Sequence, residues 1–208
     1  MILIGQYDSP FVRRVGIALT LYGMAFEHRP WSTFGDAEMI RPDNPLTRVP
    51  TLALDDGEVL IESHSILDYL DGLVPAEKRM LPVSEPARRH ALKVAALGTG
   101  MAEKAVSLFY EKVLHSQASD VWTTRCRTQI SGVLGALEPD RAAAKTGYWF
   151  GGHIGHADIA VAAALRFIPE AHPGVISMTD YPALAAQSQR CEALPVFQAI
   201  AQKFIPPA

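Results

Sequence analysis

Cysteine is scarce in this chain. Of 208 residues only Cys126 and Cys191 are cysteine, and they form neither a CxxC pair nor a metal-ligand spacing, which excludes a disulfide framework and a CxxC redox centre. Both lie in helix-like segments and read as buried free thiols, in keeping with a reducing cytoplasm. Long apolar runs are also missing. The longest, Ala157 to Leu165, is far short of the roughly 20 residues that span a bilayer, and Arg166 and Pro169 follow it. Met1-Ile2-Leu3-Ile4 before Gly5-Gln6 is too short for a signal peptide, so the expected location is cytoplasmic. No charge of one sign dominates: 19 Lys and Arg are scattered among 22 Asp and Glu, with a formal net charge of -3. That leaves no basic stripe for nucleic acid or an anionic membrane. His153 and His156 lack a Cys or acidic partner to complete a ligand set, so no metal is expected.

What is present is a globular chain, 49% hydrophobic, in two halves of different texture. Over residues 1–80, strand-like and helix-like pieces alternate. Ile2 to Tyr7 reads as a strand, Pro10 to Tyr22 as a helix ended by Gly23, and Phe26 to Trp31 as a second strand. A short irregular helix is expected over Gly35 to Arg41. Thr51–Leu54 and Val59–Ile61 flank Asp55-Asp56-Gly57-Glu58, a hairpin turn signal, and Ser63 caps a helix running to about Leu73. The order βαβ-α-ββα predicts a small mixed sheet: a parallel pair from the crossover and an antiparallel pair from the turn.

From Ser84 the periodicity is helical throughout. A long helix to about His115 carries Leu92, Ala95, Ala96, Leu108 and Phe109. A second carries Trp122, Cys126, Ile130, Val133, Leu134 and Leu137 at three- and four-residue steps. Ala157 to Ile168 is apolar nearly all round, as a central buried helix is, and two helices opened by proline follow, Pro182–Cys191 and Pro195–Phe204. The fold class is α+β, with a mixed-sheet domain over 1–80 and an all-α domain over 85–208.

Two strand-to-helix corners of the first half suit anion capture, and a proline-closed loop lies between them. In Ser9-Pro10-Phe11-Val12-Arg13-Arg14-Val15 a strand feeds a helix with Ser9 at the N-cap and Pro10 at the first helical position. This sets one hydroxyl beside unpaired N–H groups at the positive end of a helix dipole. A cap with no further role reads equally well. Asn44-Pro45-Leu46-Thr47-Arg48-Val49-Pro50 is that loop, in which Pro50 as an ordinary trans turn proline is the better reading of the residues alone. Glu62-Ser63-His64-Ser65-Ile66-Leu67-Asp68-Tyr69-Leu70 is a second strand-to-helix corner, where Ser63 as a simple cap and Glu62 as a solvated charge form the plainer alternative.

Together with Gly155-His156-Ala157-Asp158-Ile159-Ala160, these patches make the chain resemble a cytosolic glutathione S-transferase, with a thioredoxin-like N-terminal domain and a helical C-terminal domain. The Ser9 stretch is similar to the serine-type motif of bacterial and theta-like members. The resemblance implies a role for each patch. Ser9 is the catalytic residue, donating a hydrogen bond to the glutathione sulfur, with no covalent intermediate. Val49, exposed by a cis Pro50, pairs its backbone with the cysteinyl unit. Glu62 and Ser63 hold the γ-glutamyl end, and Phe11 and Arg48 belong to the same binding set. Thr47 departs from the usual glycine. Gly155 replaces a Ser or Thr cap before Asp158, which reads as a structural capping-box carboxylate. Met101, Ala105 and Leu108 are candidates for an electrophile pocket, against the favoured reading that they fill the core. Phe34 and Arg41 are candidate interface residues of a homodimer, and Glu103 or Lys104 could face either the partner or the ligand. Glutathione is the co-substrate.

The chemistry required is definite. A free thiol with a pKa of about 8.5 is only a few per cent thiolate at neutral pH. Lowering that pKa by about two units takes roughly 2.7 kcal/mol of differential stabilisation. A hydroxyl donor at a helix N-terminus can supply that. The expected function is conjugation of glutathione to small hydrophobic electrophiles, a detoxification chemistry. The alternatives are another glutathione-dependent reaction (isomerisation, dehalogenation, peroxide reduction) or a non-catalytic interaction module on the same fold. Arg13 is a candidate to add positive potential, against the commoner reading of a solvated helix arginine.

Overall fold

Three residues, Ile2–Ile4, form strand β1, and Leu3 and Ile4 are completely buried. The computed structural model describes residues 1–206. Helix α1 follows over Pro10–Leu21, with Tyr22 at its C-cap and Gly23 at φ 68° ending it, the left-handed turn that glycine adopts most readily. Strand β2 (Glu27–Arg29), the four-residue helix α2 (Ala37–Ile40), strands β3 (Thr51–Ala53) and β4 (Val59–Ile61) and helix α3 (Ser63–Gly72) complete the order. The sheet runs β2-β1-β3-β4, with β1/β2 parallel and the other pairs antiparallel. This is the mixed sheet that the crossover and the Asp56-Gly57 turn imply. β2 is shorter than its apolar pattern suggests because β1 offers only three residues to pair with. Leu3 and Leu52 from the sheet meet Val12, Val15 and Leu19 of α1 and Ile66, Leu67 and Leu70 of α3 in one core. At about 1.5–3 kcal/mol per buried aliphatic side chain, this cluster is the main source of the domain's stability.

The chain divides by contact into two units, Met1–Met80 together with the residues from Leu194 on, and Leu81–Ala193. The C-terminal segment, expected in the all-α domain over 85–208, groups instead with the thioredoxin-like unit. The physical reason is Arg13. Its side chain is buried, donating from Nε to the Ile200 carbonyl and from Nη2 to the Phe197 carbonyl, both at 2.9 Å, with its Cζ 5.2 Å from the centre of the Phe197 ring. Helix α8 (Pro195–Ala199) thus packs on α1, and the extended chain after it crosses the loop before α1. There Gln202 Oε1 accepts from the Tyr7 N–H at 3.3 Å and Asp8 Oδ2 from the Ile205 N–H at 3.1 Å. The commoner reading of a helix arginine, a solvated side chain, is therefore corrected for Arg13: it ties the C-terminal segment down.

The second unit consists of α4 (Ala87–Leu114), α5 (Asp120–Ala143), α6 (His156–Ala171) and α7 (Pro182–Glu192). Helix α6 is buried from His156 through Leu165, as its nearly uniform apolar sequence requires. It crosses α4 closely at Gly98, where an added Cβ would lie 3.0 Å from the Val161 nitrogen and 3.1 Å from the Ala160 carbonyl carbon. Backbone cannot move aside as a side chain does. Gly98→Val is therefore expected to cost about 2–3 kcal/mol by forcing the helices apart. Thermal unfolding should show a fall of about 5 °C or more, and an unchanged melting point would contradict this packing.

Asp158 closes the N-terminus of α6. Its Oδ2 accepts from the Gly155 N–H at 2.9 Å and its Oδ1 from the Trp149 N–H at 3.0 Å. The expected structural role is present, with glycine at the cap. Cys126 and Cys191 are both buried and unbridged. No helix among the described residues is long and apolar enough to cross a membrane.

Candidate functional site

The registers of the sheet gather the three stretches at one end. Ile4 pairs with Thr51 and Thr51 with Ile61. One residue further along each strand stand Gly5, Pro50 and Glu62. Gly5 has φ 126°, and a Cβ there would lie 2.7 Å from Val49 Cβ and 2.5 Å from Val12 Cγ2. Only a residue without a side chain lets the 44–50 loop and the first turn of α1 close on β1 together.

Ser9 occupies the N-cap of α1 in extended conformation, and its Oγ accepts from the Val12 N–H at 3.4 Å, a long bond. A hydroxyl that accepts from the helix keeps its own proton to donate elsewhere. The cap and the anion-donor readings are thus compatible in one geometry. Phe11 sits half-buried in the first turn of the same helix. Tyr7, two residues before Ser9, stacks on the His28 imidazole with ring centres 3.8 Å apart, while His28 Nε2 lies 2.8 Å from the Gly5 carbonyl. Burial pushes the Tyr7 phenol up to about 12, so it stays protonated at neutral pH.

The loop before Pro50 is shaped by Asn44, a residue that the sequence pattern does not single out. Its buried amide donates to the Arg48 carbonyl at 2.8 Å and to Thr51 Oγ1 at 3.0 Å, and its Oδ1 accepts from the Leu46 N–H at 3.1 Å. A side chain that braces both ends of a loop is foreshadowed in sequence only by an Asn ahead of proline. Thr47 lies at φ 51°, in the region where a glycine would be relaxed. The Val49–Pro50 bond is cis. Among the described residues no hydrogen bond reaches the Val49 N–H or C=O, leaving both for an extended peptide to pair with.

At the third corner Glu62 lies at φ 66° and occupies the cap position of α3. Thr47 and Glu62 are the only non-glycine residues with positive φ among the described residues, and both belong to this site. Such conformations cost about 1–3 kcal/mol each and concentrate where a ligand is held. The carboxylate of Glu62 pairs with Arg48 at 3.1 Å, both side chains about half exposed, so the bond contributes at most about 1 kcal/mol. Ser63 is not the cap expected from sequence. It is the first residue of α3, no side chain caps the helix, and its buried Oγ accepts from Arg14 Nη1 at 3.3 Å. The helix starts directly after β4, so no extended residue is left in which a serine could fold back over it. Arg14 is a second residue that sequence does not single out. Its one visible signal is a basic residue set between Val12 and Val15 in a helix with no acid one turn away.

Met101, Ala105 and Leu108 lie in α4 with no exposed surface. No cluster of metal-ligating side chains occurs among the described residues.

Comparison with known proteins accords with this geometry. Residues 3–78 match the N-terminal domain of glutathione S-transferases and residues 120–186 their C-terminal domain. The uncharacterized GST-like protein YibF of Escherichia coli K12 is 31% identical over 139 residues, which cover 66% of this chain and 68% of that one. A maleylacetoacetate isomerase of Pseudomonas aeruginosa is 37% identical over 94 residues, 43% of each chain. A crystal structure of a glutathione transferase family member from Pseudomonas fluorescens Pf-5, with bound glutathione, is 31% identical and superposes with a TM-score of 0.84 over 100% of this chain and 99% of that one. With both domains matched and the thioredoxin-like sheet and helical domain in place, this chain belongs to the glutathione S-transferase family.

Proposed function

We propose that the chain is a serine-type glutathione transferase that holds glutathione as a thiolate and joins it to small hydrophobic electrophiles. The observation that carries this reading is the unpaired backbone of Val49, set at the end of the sheet where Ser9 and Glu62–Ser63 also stand. In this reading Val49 pairs with the cysteinyl unit as an added strand does. Ser63 and the start of α3 take the γ-glutamyl carboxylate, and Glu62, braced by Arg48, takes its amino group. Phe11 closes the site beside Ser9. The Ser9 hydroxyl donates to the sulfur and the thiol proton leaves to solvent. The thiolate then forms a carbon–sulfur bond with the electrophile: in a substitution the leaving group departs with its bonding pair, and in an addition the π pair moves to the acceptor end and takes up a proton from solvent. Ser9 acts by stabilising the anion, so it needs no histidine partner.

Calorimetry with glutathione, followed by a conjugation assay over a panel of electrophiles, tests the reading. Binding without turnover on any electrophile would favour an interaction module. The partial likeness to an isomerase favours keeping a second reading, a glutathione-dependent isomerisation on the same site, and a substrate whose product retains no glutathione separates the two. Ser63→Ala and Glu62→Ala are each expected to weaken glutathione about tenfold in Kd, about 1.4 kcal/mol, with kcat within about threefold of the wild type. A fall in kcat with unchanged Kd would contradict their assignment. The family resemblance also implies a cytoplasmic homodimer, and light scattering of the purified protein tests the dimer.

A further inference from the structure

Arg14 is a buried charge that no carboxylate among the described residues neutralises. It is 2% exposed, its Nε has no hydrogen-bond partner, and its one hydrogen bond goes from Nη1 to a neutral oxygen, Ser63 Oγ, at 3.3 Å. No carboxylate among the described residues forms an ion pair with it. Removal from water lowers its pKa to about 10, which still leaves it charged at neutral pH. Buried charges are as a rule paired, because an uncompensated one costs several kcal/mol. The other buried guanidinium groups are more fully hydrogen-bonded: Arg13 donates to two carbonyls, and Arg141 to two carbonyls and an amide oxygen. Arg14 is the exception, and its one bond points at the first residue of a ten-residue helix that no side chain caps.

We propose that Arg14 is a positioning residue for an anion at the start of α3, the γ-glutamyl carboxylate of glutathione, acting through Ser63. The inference rests on the functional reading above. Because Arg14 Nη1–H donates into Ser63 Oγ, one oxygen lone pair is occupied and the hydroxyl proton turns away from the guanidinium, toward the ligand side. Arg14, the Ser63 hydroxyl and the carboxylate then form a chain of donors running from buried cation to bound anion. Each bond in such a chain polarises the next, and the helix dipole adds in the same direction. The ligand supplies the countercharge that Arg14 lacks among the described residues.

The test measures Kd by calorimetry for two ligands, glutathione and 4-aminobutyryl-cysteinylglycine, which is glutathione without that one carboxylate. The wild type is expected to prefer glutathione by about 30-fold, as a charge-assisted contact implies. Arg14→Met should shrink the preference by about tenfold or more, mostly by weakening glutathione, while the truncated ligand is bound as before. Arg14→Lys, which keeps the charge, should hold the preference within about threefold of the wild type. A purely structural arginine predicts otherwise: its loss lowers the ligand-free melting point and weakens both ligands alike. A positioning arginine predicts that Arg14→Met melts no lower than the wild type without ligand, since an unpaired buried charge has been removed.

A preference unchanged in Arg14→Met, parallel loss of both ligands, or a wild-type preference under about threefold overturns the inference and leaves the functional reading standing. A wild type that binds neither ligand overturns the functional reading, and the inference with it. Should Arg14→Met not fold, the crystal structure of the wild type with glutathione decides. A carboxylate oxygen on Ser63 Oγ, with Arg14 still donating to that hydroxyl, supports the inference, and a carboxylate bound elsewhere refutes it.

Discussion

Ser9→Ala is expected to lower kcat/KM for glutathione conjugation about fiftyfold at pH 6.5 and to leave it near the wild-type value at pH 9. On the proposed reading the hydroxyl and the start of α1 hold the bound thiol near a pKa of about 6.5, and without the hydroxyl it returns toward about 8.5. At pH 6.5 the thiolate fraction then falls by about fiftyfold. A more basic sulfur is intrinsically more nucleophilic and recovers about six- to tenfold. Loss of the bond that aims the sulfur forfeits about tenfold. The last two offset each other, so the deficit follows the ionisation and closes as pH rises through the higher pKa. KM for glutathione should change little, because the binding groups lie at the other corners. The hydroxyl also accepts from the Val12 N–H, so about 1 kcal/mol of capping is lost and the melting point drops by about 2–4 °C. A pH–rate profile that does not move would remove Ser9 from the chemistry.

Asp158→Ala is expected to be the most damaging substitution for stability. The carboxylate is 1% exposed and accepts three hydrogen bonds, from the Gly155 and Trp149 N–H groups and from Gln187 Nε2 at 2.6 Å. Gln187 in turn accepts from Arg141 Nε at 2.9 Å, and Arg141 Nη2 donates to the Thr146 and Gly147 carbonyls. Asp158 and Arg141 are thus opposite charges joined through one amide, tying α6 to α5, α7 and the 146–149 loop. Burial pushes the Asp158 carboxyl above the ordinary carboxylate range, and the two backbone N–H donors and Arg141 oppose that push. Truncation orphans two N–H groups and leaves Arg141 without its countercharge, a loss of about 3–5 kcal/mol. Thermal unfolding followed by circular dichroism should drop by about 10 °C, and soluble yield should fall with it. Asp158→Asn keeps one acceptor but turns an amide donor toward another donor, so it should recover only part of the loss. A melting point within about 2 °C of the wild type for Asp158→Ala would contradict the network.

The sheet was legible because its signals are local. Apolar triplets at Ile2–Ile4 and Val59–Ile61, Gly23 after a helix and Asp56-Gly57 in a hairpin each depend on a few neighbouring residues. The fate of the C-terminal segment was not legible. Pro195 to Phe204 carries apolar side chains that suit any core, and its place follows from Arg13, nearly two hundred residues earlier. The reading of Arg13 failed for the same reason. A helix arginine is usually solvated, and only tertiary packing reveals that Arg13 and Arg14 are both buried. At the candidate site, Ser9 and Val49–Pro50 stood out as chemistry at a chain corner. Ser63 was misread as a cap because capping depends on whether the residue before the helix is extended, and the direct β4-to-α3 corner sets Glu62 in a left-handed conformation instead. Thr47 stood out as a departure from glycine, and its φ of 51° accounts for the preference it breaks.

The ionisation of the bound thiol is the most direct measure of what these corners do. Thiolate absorbance in the ultraviolet, titrated against pH with glutathione saturating the protein, should give a pKa about two units below the free thiol, close to 6.5. A bound thiol that still titrates near about 8.5 would mean that the arrangement of Ser9, Val49 and Glu62–Ser63 holds the tripeptide without activating it.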